Sequence, residues 1–126
     1  MIEILVCDDL KITAELYKNH EQDLSCDSLA VRAMSGAECL GYCLFSINDG
    51  KAIVHAVEPS EDIMLADGLL RSALHVGTER GITEAFYSDS KYETLYNKIN
   101  FLEDKADKRL RLQNLFSDCC CCKKDY

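Results

Sequence analysis

The segment from Ser28 to Val57 constrains this chain more than any other. Three strand-like runs, SLAVRAM (Ser28–Met34), CLGYCLFSI (Cys39–Ile47) and KAIVHAV (Lys51–Val57), are joined only by SGAE and NDG. Joints this short carry turn residues and cannot hold a crossover, so the runs must form an antiparallel meander. Asp49-Gly50 is a strong hairpin signal. A meander of this kind leaves one apolar face to be covered, and the next segment supplies the cover. After Pro59, the residues Leu65, Leu69, Ala73 and Val76 form one stripe between Met64 and Arg80, with Ala66, Leu70 and Gly77 beside it. That spacing predicts a long helix packed on the sheet, ending at Gly81 as the residue past its C-cap.

Shorter signals complete the order. IEILVC (Ile2–Cys7) reads as a first strand and Leu10–His20 as a helix with Leu10, Ala14 and Tyr17 on its apolar side. TEAFYS reads as a short strand and KYETLYNKI as a short helix. A final strand is expected around Leu110–Leu115, behind a charged loop. The 126 residues contain neither repeats nor a linker, so one domain is expected over 1–126.

Composition narrows the function classes. The net charge of −8 predicts repulsion from nucleic acid and from anionic membrane surfaces. The N-terminus lacks the pattern of a secretion signal, and no apolar run is long enough to span a bilayer, which predicts a cytoplasmic protein. In that setting the eight cysteines read as thiols. Cys7, Cys26, Cys39 and Cys43 are expected to act as small buried hydrophobes. Cys119–Cys122 are adjacent, whereas zinc sites space their cysteine pairs by two residues. The tail from 117 to 126 is therefore read as a flexible terminus with no metal site. A thiol-based metal or redox role for it is the weakest of the functions considered.

The element order β-α-β-β-β-α-β-α-β resembles that of the GNAT superfamily of N-acetyltransferases from about Leu29 to Leu102. Three stretches carry the resemblance. AVEP (Ala56–Pro59) is similar to that family's strand ending Val-x-Pro, and GLLRSALHVGTERGI (Gly68–Ile82) to its long helix. LYNKINF (Leu95–Phe101) is similar to Phe-Tyr-x-Lys-x-Gly-Phe, with Asn100 where glycine is usual. Asn tolerates positive φ better than other non-glycine residues, so the exchange is mild.

The resemblance implies an α/β fold with a mostly antiparallel central sheet flanked by helices. It implies acetyl-CoA as co-substrate, lying where the third meander strand splays from the strand after the long helix. It also implies a small-molecule or peptide amine as acceptor. The pyrophosphate would meet the backbone that opens the long helix, an anion site by its geometry. On this chain the cofactor-binding residues would be Ala56, Val57, Met64, Leu65, Ala66, Asp67 and Gly68. The family's loop runs Arg or Gln, two variable residues, Gly, one variable residue, then Gly or Ala. Here Glu61, Met64 and Ala66 take those places, and Ala66 alone fits. Met64 restricts backbone approach, and Glu61 and Asp62 repel a diphosphate while suiting the helix dipole. Ser60 or Asp62 would cap the helix.

Tyr96 matches the family's general acid, which protonates the departing CoA thiolate. Its other reading is a tyrosine packed on the sheet. His55 and Glu58 are the candidate bases. His55 alternates with Ile53 and Val57, so all three are expected on one face, where a lone histidine is commonly a satisfied core residue. Ser88 and Asp89 could bound the acceptor site. Two function classes therefore stand side by side: an N-acetyltransferase, and a non-catalytic domain of the same fold that binds a ligand or partner.

Overall fold

A computed structural model describes residues 2–112 of the chain. The elements run β1 (Glu3–Val6), α1 (Leu10–Asn19), β2 (Ser28–Ser35), β3 (Glu38–Asn48), β4 (Lys51–Glu58), α2 (Ile63–Glu79) and β5 (Glu84–Tyr87). A 3-10 turn (Ser90–Tyr92), α3 (Glu93–Lys98), β6 (Leu102–Asp104) and β7 (Arg109–Leu110) follow. The strands form one sheet in the order β1-β2-β3-β4-β5-β7-β6. All neighbours are antiparallel except β4 and β5. This is the mixed α/β architecture expected. None of the helices among the described residues is long and apolar enough to cross a membrane.

The meander is β2-β3-β4, and its hairpin turns behave as their residues dictate. Asp49 and Gly50 both take positive φ, 54° and 73°, which is what a two-residue turn with the right twist requires. Asn100 also has positive φ, 64°, as a glycine substitute should. Asp9 caps α1 by accepting from Lys11 N and Ile12 N.

α2 lies across β1 to β4, burying Ala66, Leu69, Leu70, Ala73, Leu74 and Gly77. Sheet positions alternate beneath it. Gly41 of β3 points to Leu69, so Tyr42, the next residue, points to the other face. There its hydroxyl meets His20 Nε2, at the C-cap of α1, at 2.7 Å. The two helices thus cover opposite faces of the meander.

Gly41 is required for more than its face. A Cβ built on it would stand 2.6 Å from the Glu58 carbonyl oxygen and 2.9 Å from Pro59 Cδ. Backbone cannot yield as a side chain can, so Gly41→Ala must push β3 and β4 apart at the end of β4. The expected cost is about 1–3 kcal/mol, the range for overpacking. A fall in melting temperature of several degrees, followed by circular dichroism, checks it; an unchanged melting curve would refute the close approach.

Several expectations need correction. Leu10 is 76% exposed, and α1 buries Thr13 beside the expected Tyr17. Cys7 and Cys43 are buried, but Cys26 and Cys39 are exposed, because Cys26 precedes β2 and Cys39 lies at the start of β3. The charged segment before Leu110 is not only a loop. It holds β6 and a turn in which Asp104 accepts from Ala106 N and Asp107 N, returning the chain as β7. The end of the predicted Leu110–Leu115 strand and the cysteine tail lie outside the described residues.

Candidate functional site

β4 and β5 pair only between Lys51–Val54 and Glu84–Tyr87, and Ser88 N closes the ladder on the Val54 carbonyl at 3.0 Å. Beyond that point β4 continues through His55, Ala56, Val57 and Glu58, while the other chain turns away into the 3-10 turn and α3. A bulge marks the divergence. Leu44 pairs with Ala56 and Phe45 with Val54, so His55 is the extra residue. The bulge also changes the phase of alternation. Val57, opposite Cys43, is buried on the α2 side, so His55 and Val57 do not share the face that simple alternation predicts.

His55 lies on the α1 side, its ring edge-on to Tyr17 at 6.0 Å. Nε2 shares a hydrogen bond with Ser46 Oγ (3.1 Å) and Nδ1 with Ser88 Oγ (3.0 Å). A neutral imidazole has one donor and one acceptor, and two serine hydroxyls satisfy both. Burial lowers the His55 pKa, which keeps the ring neutral. Ser88 thus bridges the widening gap to β4, whereas Asp89 caps the 3-10 turn by accepting from Lys91 N.

Glu58 ends β4 and stands opposite Tyr42. Tyr92 donates its hydroxyl to Glu58 Oε2 at 2.5 Å, and Lys91 Nζ approaches the same oxygen at 3.5 Å. These contacts tie the free end of β4 to the 3-10 turn across the gap. Burial first, and the Glu58 carboxylate second, raise the Tyr92 pKa well above its usual value.

Behind this contact is Tyr96, fully buried on α3, its ring 5.0 Å from that of Tyr87 and 6.3 Å from that of Tyr92. Tyr92 and Tyr96 are four residues apart and so share one side of the helical segment. The Tyr96 hydroxyl has no hydrogen-bond partner among the described residues. Burial, the largest cause, holds its pKa well above 10, so the phenol stays protonated.

The opening of α2 is capped by acid. Asp62 is the N-cap and its side chain accepts from Leu65 N at 3.2 Å. Ser60, the other cap considered, lies outside the helix. Ala66 N already bonds the Asp62 carbonyl, which leaves the N–H groups of Ile63 and Met64 as the first-turn donors without a partner among the described residues. Met64 itself is 86% exposed. Asp67 pairs with Arg71 at 3.0 Å, and Gly68 packs near Ile4. Ala56, Val57 and Ala66 are fully buried, and Leu65 is half-buried.

Sequence reasoning missed the cations that face this opening. A cleft of about 260 Å³ is lined by Ser60, Glu61 and Ile63 on one side and by Lys91, Leu95 and Lys98 on the other. The signal was present: Lys91 and Lys98 are seven residues apart, two helical turns, which puts them on one side of a helical segment. The helix start lacks a basic residue of its own, but the neighbouring segment brings two.

No protein-family model and no curated protein sequence matches the chain. Solved structures do match. An aminoglycoside N-acetyltransferase in complex with CoA is 15% identical with a TM-score of 0.61, over 83% of this chain and 90% of that one. Ribosomal-protein-alanine N-acetyltransferase from Brucella melitensis biovar Abortus is 14% identical with a TM-score of 0.58, over 79% and 90%. A GNAT-family acetyltransferase from Streptococcus pneumoniae is 16% identical with a TM-score of 0.54, over 79% and 84%. The chain has the fold of the GNAT N-acetyltransferases.

Proposed function

We propose that this chain transfers an acetyl group from acetyl-CoA to an amine of a small molecule or a peptide. The observation that carries the reading is the Tyr96 hydroxyl. A buried hydroxyl without a partner costs about 1–3 kcal/mol, and a catalytic role is one reason a fold keeps such a group. It lies behind the gap between β4 and α3, where the fold's acyl donor would enter.

In the proposed reaction the amine nitrogen attacks the thioester carbonyl carbon. The carbon–sulfur bond breaks, and the departing thiolate takes the Tyr96 proton. The proton that the amine loses goes to Glu58, directly or through water. Glu58 is the better placed of the two candidate bases, because its carboxylate is at the mouth of the gap, whereas His55 has both nitrogens occupied. His55 then positions Ser88 against β4. Ala56 and Val57 offer backbone to the pantetheine arm, and the residues from Met64 to Gly68 form the phosphate end. The donors there are the Ile63 and Met64 N–H groups, with Lys91 and Lys98 supplying charge that Glu61 and Asp62 do not.

One observation favours a second reading, a non-catalytic ligand- or partner-binding domain. The Asp62 carboxylate already occupies a donor that a phosphate would use. Thermal denaturation with and without acetyl-CoA separates the two. Acetyl-CoA at a hundred times Kd should stabilise the native state by about 2.7 kcal/mol. No shift at millimolar acetyl-CoA, together with no CoA release across a broad amine panel, would leave the second reading.

A further inference from the structure

We infer that the acceptor carries a carboxylate as well as its amine, and that Arg32 selects it. Arg32 is half-buried on β2, and its buried Nε has no hydrogen-bond partner among the described residues. The chain has 22 acidic side chains against 14 basic ones, so a carboxylate should be easy to find. The other half-buried arginines found one: Arg71 holds Asp67 at 3.0 Å and Arg109 holds Glu84 at 2.7 Å. Arg32 makes no ion pair among the described residues. An Nε–H left this way loses hydration without compensation, and the planar fork it belongs to suits a carboxylate.

Its place in the sheet gives the direction. Arg32 stands opposite Tyr42, which stands opposite Glu58, so the three form one cross-strand row on the α1 face. Tyr42 and Glu58, with Leu16, Leu40 and Pro59, line a cleft of about 250 Å³ at the free end of β4, and Arg32 stands outside that lining, one strand beyond Tyr42. The Tyr42 hydroxyl is held to His20, at the C-cap of α1. The row therefore has an acidic pole at Glu58, beside the gap, and a cationic pole at Arg32, two strands away. At the usual strand spacing the poles are about 10 Å apart along the sheet, less the reach of the two side chains. Two extended residues span about 7 Å. An amine and a carboxylate at the ends of a dipeptide match that interval, with the ammonium toward Glu58 and the carboxylate on Arg32.

The assignment of the amine rests on the acetyltransferase reading; that of the carboxylate rests on Arg32 itself. The test uses the full chain and three probes: alanyl-alanine, alanyl-alaninamide and the C-terminal amide of alanyl-glutamate. Calorimetry should give alanyl-alanine a Kd about tenfold or more below that of its amide, the scale of one charge-assisted bond. Arg32→Gln should bring the two to the same Kd with the melting temperature kept. Should Arg32→Gln fail to fold, Arg32→Lys keeps the charge without the fork and should reduce the ratio. Tighter binding of alanyl-glutamate amide than of alanyl-alanine would assign the carboxylate to a side chain next to a protein N-terminus. Equal Kd values for all three probes, or no binding at millimolar concentration, overturns the inference. If the dipeptide preference holds but acetyl-CoA neither binds nor turns over, the acetyltransferase reading fails and the Arg32 site stands. Turnover of carboxylate-free amines as fast as of dipeptides would do the reverse.

Discussion

Tyr96→Phe is expected to lower kcat by about 10²–10⁴-fold, the contribution of a positioned general acid. The substitution keeps the ring, and with it the contacts to Tyr87 and Tyr92. It removes only an oxygen that has no partner among the described residues. Acetyl-CoA affinity should stay within a few-fold of wild type, because the bulk of such a ligand is bound elsewhere. Stability should rise, by about 1 kcal/mol, since a buried unsatisfied hydroxyl is a cost and not a contact. That combination of a much slower enzyme and a higher melting temperature is the signature sought. A tyrosine kept for packing gives another pattern, with kcat unchanged and stability lowered if the hydroxyl finds a partner. Steady-state kinetics and thermal denaturation of one variant therefore decide its role. Wild-type turnover in Tyr96→Phe would remove Tyr96 from the site.

The parts of this fold that were legible in the sequence are those set by local rules. SGAE and NDG fix the meander because two-residue turns demand residues tolerant of positive φ, and Asp49 and Gly50 adopt it. The α2 stripe fixes the packed face, and the observed helix starts and ends within one residue of the expected Met64–Arg80. What was not legible depends on partners distant in sequence. The bulge at His55 arises from the β3–β4 register and leaves no mark in KAIVHAV, so simple alternation misplaces Val57. The β6–β7 return depends on Asp104 turning the chain inside a run that reads only as charged. The site divides the same way. Tyr96 was visible through LYNKINF, but its orphaned hydroxyl was not. Glu58 was visible as a candidate base, but not its contacts to Tyr92 and Lys91, 34 and 33 residues away. Arg32 gave no signal, since an arginine in a strand looks solvated until its neighbours are known to lack acids.

The second large effect concerns charge at the opening of α2. Lys91→Glu together with Lys98→Glu should weaken acetyl-CoA binding by one to two orders of magnitude. Each lysine lost forfeits a charge-assisted bond of about 1.5–3 kcal/mol if it is well formed, and roughly half of that at exposed positions. The reversed charges also join Glu61 and Asp62 against the diphosphate. The converse pair, Glu61→Arg with Met64→Gly, should strengthen binding, because it removes a repulsion and lets backbone approach more closely. Glycine in the first turn lowers helix stability by about 1 kcal/mol, so melting temperature without ligand should fall as affinity rises. Salt provides a further check, since the lysine contribution is screened between low and physiological ionic strength and the backbone contribution much less. Calorimetric titration of both double variants at two salt concentrations measures all of this. Equal affinity for wild type and the Lys91→Glu, Lys98→Glu variant would mean that the cleft between α2 and α3 does not hold the phosphates. The acid-capped helix start would then be a closed one, and the loop a mark of lost cofactor binding.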